Sequence, residues 1–365
     1  MSFDTPLSTR TQEGRARTPA DRSQFVGTRA VAVWLFAVAA FVFAMVLVGG
    51  LTRLTDSGLS ITEWRPVTGA IPPMSEAAWE AELEKYRQIP EYQFQNKGMS
   101  LDDFKTIYWW EWGHRLLGRL IGVAFFFPFV FFWATGQIGR RLVPRLLGLF
   151  VLGGLQGVLG WYMVMSGLTE RLDVSQYRLV AHLGLAIVIY LALVWTGFCV
   201  WTGRLGAQAD GRGRGSGVAL ALLAFVYLQI LSGGFVAGTD AGYIYNTWPL
   251  MLGTWVPPGL WEMDPWWLNA TENVLTIQFL HRCSAYLLLA AVLANWVVLW
   301  RSGADRAAGS AALLLAVVVA QAGIGIWTLL EVVPIALGGM HQAGALIVLS
   351  AALWHVWRRQ TPVSL

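Results

Sequence analysis

Charge is scarce in this chain: 13% of its 365 residues are Asp, Glu, Lys or Arg, whereas a soluble protein carries about 25%. With 56% hydrophobic residues and a mean hydropathy of +0.52, that shortage excludes a secreted soluble domain and a disordered chain. Cysteine is scarcer still. Cys199 and Cys283 both lie inside apolar runs, so no disulfide framework and no CxxC or Cys/His zinc pattern is present. The net charge of +4 is too small to suggest nucleic acid. Residues 1–29 lack the apolar core and small-residue cleavage site of a signal peptide. Their Arg, Ser and Thr would suit a transit peptide, but three acidic residues argue against one, and the segment reads as a solvated cytoplasmic tail.

What is abundant is long apolar sequence. Eight runs of membrane length span about 30–51, 112–135, 146–167, 178–201, 217–237, 275–300, 310–331 and 337–357. The tail, the loops near 136–145, 202–216 and 301–309, and the C-terminal end carry 5, 3, 3, 2 and 2 Arg. The other side has Arg171 in one short loop and no Lys or Arg between 238 and 274. The positive-inside bias therefore predicts both termini in the cytoplasm. A long loop over 52–107 mixes six basic with nine acidic residues, and within it MSEAAWEAELEKYR (74–87) predicts a surface helix opening at Ser75.

The chain repeats itself. Gly49, Gly50, Thr55, Asp56, Gly58 and Trp64 are echoed by Gly233, Gly234, Thr239, Asp240, Gly242 and Trp248. His114-Arg115 matches His281-Arg282, Gln156 with Gly160 matches Gln321 with Gly325, and His182 matches His341. Each half holds four spans, so both enter the membrane in the same sense. The expected fold is all-α: a polytopic membrane protein whose eight helices form two pseudo-symmetric four-helix bundles, over 30–201 and 217–357.

His114, His182, His281 and His341 fall two to six residues into spans two, four, six and eight, near one outer face. Ionisable groups at that depth are costly and point to function. Two imidazoles on facing helices suit a haem iron, whereas zinc would want three or four ligands. The repeat pairs His114 with His182 and His281 with His341, giving one haem-sized site per half. Arg115 and Arg282, directly after two of the histidines, are candidate partners for haem propionates, with Arg53, Arg65, Arg119 and Arg178 at the same boundary. His355, unpaired at the other end of span eight, reads as structural. The halves differ at one telling position: Glu111, three residues before His114, corresponds to Gln278 before His281. A carboxyl group can move protons or stabilise positive charge and an amide cannot, which makes the first half the reactive one.

The runs GGLTRLTDSGLSITEWRPVTGAIPP (49–73), EWGHRLLGR (111–119), RLVAHLGLA (178–186), QFLHR (278–282) and GGMHQAGA (338–345) resemble the haem A synthase family, in its proteobacterial and mitochondrial branch. The resemblance covers about 25–358. It implies oxidation of a methyl group of haem O to a formyl group, giving haem A for terminal oxidases. It also implies a b-type haem cofactor held by His281 and His341, and haem O bound as substrate through His114 and His182, with Glu111 catalytic. Membership of this kind places the chain in a bacterial inner membrane. Some members carry a cysteine pair in an extracytoplasmic loop, and this chain does not. The mechanism expected is loss of electrons from the substrate macrocycle toward the second haem, attack of water on the methyl carbon, and Glu111 taking the proton or stabilising the cation. A di-haem electron carrier and a haem transporter are the alternatives. A handover complex with haem O synthase or an oxidase assembly factor, and a homo-oligomer, stay open as partners; the electron acceptor is not legible.

Overall fold

The computed structural model describes residues 27–169, 171–203 and 216–360; most of the expected cytoplasmic tail and the arginines of the 202–216 loop lie outside the described residues. Among the described residues there is no β-strand, only an isolated bridge between Met251 and Thr254. The helices are α1 (Arg29–Leu54), α2 (Glu76–Tyr86), α3 (Pro90–Phe94), α4 (Leu101–Ala134), α5 (Val143–Met165), α6 (Gln176–Trp201), α7 (Ser216–Gly238), α8 (Val274–Arg301), α9 (Asp305–Leu330) and α10 (Ile335–Gln360). All but α2 and α3 are long and apolar enough to cross a membrane, and the chain is a multi-pass membrane protein.

One helix extends well beyond its expected span. The second span was expected from 112, but α4 begins at Leu101, because Ser100 caps it by accepting from the Asp103 N–H at 3.2 Å and Asp102 and Asp103 favour its N-terminus. Charged residues hid this start from a search for apolar length. His114 is therefore well inside its helix rather than in the first turns. The short helix at 74–87 forms as α2, with Ser75 accepting from Ala78 N–H at 3.2 Å; the single-turn α3 has no equivalent among the expected elements.

Helices α1, α4, α5 and α6 pack around one another, and α7, α8, α9 and α10 do the same. The two groups meet where α1 lies on α10 and α6 on α7, a pairing that a two-fold axis exchanges. For that reason α1 and α6 bury about half of their spanning faces, while α4 and α5 bury little. Lipid tails are as apolar as leucine, so this contact depends on close packing and polar links more than on the hydrophobic effect. Gly50 lets Gln342 approach α1 and donate to the Val46 carbonyl at 2.6 Å; a Cβ there would collide with that side chain. At the loop end Arg53 bridges Asp56 (3.1 Å) and Asp240 (2.9 Å), tying the halves together.

Outside the spans the hydrophobic effect does act. Residues 55–100 fold over the end of α4, burying Leu59, Trp79, Leu83, Tyr86 and Ile89 against Phe104 and Tyr108. Each such side chain contributes about 1.5–3 kcal/mol. In the second half, short 3-10 turns at Ala241–Tyr243 and Trp266–Ala270 cover the equivalent end.

Candidate functional site

The four histidines are half-buried inside their helix groups, and each ring lies against a glycine of the neighbouring helix. A Cβ at Gly49 (α1) would come within 2.9 Å of His114, at Gly160 (α5) within 2.9 Å of His182, at Gly233 (α7) within 3.2 Å of His281, and at Gly325 (α9) within 2.6 Å of His341. Only glycine allows an imidazole that close to a helix backbone. His114 on α4 and His182 on α6 lie in the first helix group and His281 on α8 and His341 on α10 in the second, so each pair shares one bundle.

Three of the rings are also braced by glutamine. Gln156 donates to the His182 carbonyl (2.9 Å), Gln321 to that of His341 (2.7 Å) and Gln229 to that of His281 (3.0 Å). Each amide nitrogen also lies 3.1–3.2 Å from the ring Nδ1. Gln156 and Gln321 are visible in the sequence as repeat markers. Gln229 was missed there, although it stands four residues before Gly233 just as they stand before Gly160 and Gly325.

Glu111 is buried, and both its oxygens are satisfied. Oε2 accepts from Ser60 Oγ (2.7 Å) and the Ile61 N–H (2.6 Å); Oε1 accepts from Arg115 Nε (3.0 Å) and Nη2 (2.6 Å). Arg115 further donates to the carbonyls of Ile61 and Glu63. The second half reproduces this knot. Arg282 donates to Gln278 Oε1 (2.8 Å) and to the carbonyls of Tyr245 and Thr247, while Gln278 donates to the Ala241 carbonyl (2.7 Å). Ser60 carried no sequence signal, because its role depends on the loop folding back onto α4.

The boundary arginines are largely engaged by protein: Arg119 with the carbonyls of Pro66 and Arg65, Arg178 with the Tyr162 carbonyl and ring, and Arg65 with Glu63. Three buried guanidinium nitrogens, Nε of Arg53, Nε of Arg282 and Nη1 of Arg119, have no protein partner. His355 is buried with Ser310 Oγ at 2.8 Å and Asn295 Nδ2 at 3.2 Å, a packing arrangement matching its structural reading.

The fit to haem can be tested on these residues. Among the described residues no three His, Cys, Asp or Glu converge as a metal cluster would require. Two imidazoles per bundle, a glycine behind each, and unpartnered guanidinium nitrogens at the same end match the donor set of a bis-histidine haem with anionic side chains. Gly153, Gly154 and Gly157 on α5 correspond to Val318, Val319 and Ala322 on α9.

A sequence profile of the cytochrome oxidase assembly protein family, COX15-CtaA, matches residues 32–353. The chain belongs to this family. Among its similar curated members, the heme A synthase of Parvibaculum lavamentivorans is 60% identical over 329 residues, covering 90% of this chain and 94% of that protein. The heme A synthase of Rhodospirillum centenum is 54% identical over 327 residues (89% and 87%). That of Azorhizobium caulinodans is 54% identical over 329 residues (90% and 93%). The match to the COX15-CtaA family spans both histidine pairs and the Glu111–Arg115 knot.

Proposed function

We propose that this chain is a haem A synthase, an oxidoreductase that converts a methyl group of haem O to a formyl group through a hydroxymethyl stage. The observation that carries the reading is a break in the duplicated site: Glu111 where the second half has Gln278, each held by its own arginine. Haem O is the substrate of the first half, ligated by His114 and His182. A b-type haem is the cofactor of the second half, held by His281 and His341 with Arg282 beside it; when bound it supplies electron transfer. The chain lies in a bacterial inner membrane, with its termini in the cytoplasm and the histidine end facing out.

Water is the oxygen source. Converting a methyl to a formyl group with one water releases four protons and four electrons, which an external electron acceptor must take up, so the substrate carbon must pass through an electron-poor state. Glu111 stands three residues from His114 and on the same face of α4, where it would act on the macrocycle that His114 would hold. Four hydrogen bonds, two of them from Arg115, hold its side chain in place, which supports a role as a fixed group stabilising the cation more than as a base that must first leave Arg115. Arg115 joins the 60s loop to α4 and so sets where that group stands.

The test is chromatography of haems from a host that makes haem O but no haem A. Expression of this chain should add haem A or its hydroxymethyl precursor. Haem B and haem O alone, in a preparation that binds haem, would favour an electron carrier instead.

A further inference from the structure

The glutamine brace occurs at three of the four histidines, and the exception is ordered. On α1 the residue four before Gly49 is Met45, in the place of Gln229 on α7. The neighbouring differences run the same way. Ser232, whose Oγ is 3.3 Å from His281 Nδ1, corresponds to Val48, and Ser284, which donates to Gln229 Oε1 and to the His281 carbonyl, corresponds to Leu117. Among the described residues the His114 ring has no hydrogen-bond partner. Its orientation also differs. His182, His281 and His341 turn Cε1 toward their glycines, whereas His114 turns Nε2 toward Gly49.

A ligating imidazole is held in place by the partner of its other nitrogen and by contacts to its backbone, and such partners alter metal affinity about 10–100-fold. Ser232 is the acceptor available to an Nδ1–H when Nε2 of His281 ligates iron, and Ser284 locks the Gln229 amide that braces the same residue. None of these groups exists around His114.

We propose that Gln229, Ser232 and Ser284 are positioning residues that make the second-half haem resident. Their replacement by Met45, Val48 and Leu117 leaves His114 a swinging ligand, through which the first half loads haem O and releases its product. The assignment rests on the haem sites of the proposed function. It adds the device by which two near-identical bundles come to treat the same kind of macrocycle differently.

The test uses the full chain in detergent, loaded with haem B and haem O, with haem loss followed as transfer to excess apomyoglobin. Gln229→Met should speed loss of haem B about tenfold or more. Met45→Gln should slow loss of haem O by a similar factor, and both should shift the low-spin ferric electron paramagnetic resonance signal of the affected site. Should Gln229→Met fail to fold, Met45→Gln decides alone. Wild-type loss rates with unchanged spectra would overturn the assignment. An unaltered haem content in His281→Ala and His114→Ala would instead overturn the haem-site reading beneath it.

Discussion

Glu111 and Gln278 occupy the same place in the two halves, each bonded by the arginine four residues later, yet they face opposite partners. Glu111 accepts from the Ile61 N–H, and Gln278 donates to the Ala241 carbonyl. The loop above each helix is shaped to the group below it, so the acid and the amide are not interchangeable.

Glu111→Gln should therefore do two things. An amide nitrogen turned toward Ile61 N–H opposes donor to donor, costing about 1–3 kcal/mol of local stability. Loss of the charge should lower haem A formation about 100-fold or more while haem binding persists. Thermal melting measures the first and haem extraction with chromatography the second, and wild-type haem A yield would refute the role of Glu111.

Gly325→Ala should displace His341, because the new Cβ would stand 2.6 Å from its ring, and purified protein should retain less haem in the second half. Gly323→Ala, two residues away with open space around it, is the control and should keep full haem content. Optical spectra of the two purified variants decide the matter.

Arg115→Lys keeps the charge but loses the fork that binds Glu111 and two loop carbonyls together. The 55–75 segment should then be cut faster by protease, and haem A formation should fall about tenfold or more as the carboxylate shifts. A protease-resistant, fully active variant would remove Arg115 from the positioning role.

Glu91 gives a pH dependence. It is buried in the folded 55–100 segment beside Tyr86, and burial first, then the charges of Glu111, Asp173 and Asp56, push its carboxyl up to about 8. An acid raised on folding contributes full stability below its ordinary value near 4.5 and loses it as pH rises toward 8. Glu91→Gln should match wild type at pH 4 and melt roughly 1–3 °C higher at pH 9. Differential scanning fluorimetry across that range is the check, and identical pH profiles would refute it.

Much of this protein follows from its sequence. Apolar runs of membrane length leave few structures besides helices, since every backbone polar group must be satisfied internally. The repeat then fixes how the four histidines correspond, and Glu111 against Gln278 is the difference on which the proposed reactive half rests. Charge placement predicted the sidedness as well, which rests on the arginine bias alone. The sequence did not reveal where α4 begins, because its first ten residues are too polar for an apolar search. Nor did it reveal that Arg115 and Arg282 each bind two loop carbonyls as well as the side chain four residues earlier. Ser60 and Ser232 become meaningful only once helices and loops from distant parts of the chain are brought within about 3 Å. Periodicity and composition report what a residue is and which face it shares. Hydrogen bonds reach only a few ångströms, so which partner each polar group finds is settled by tertiary packing.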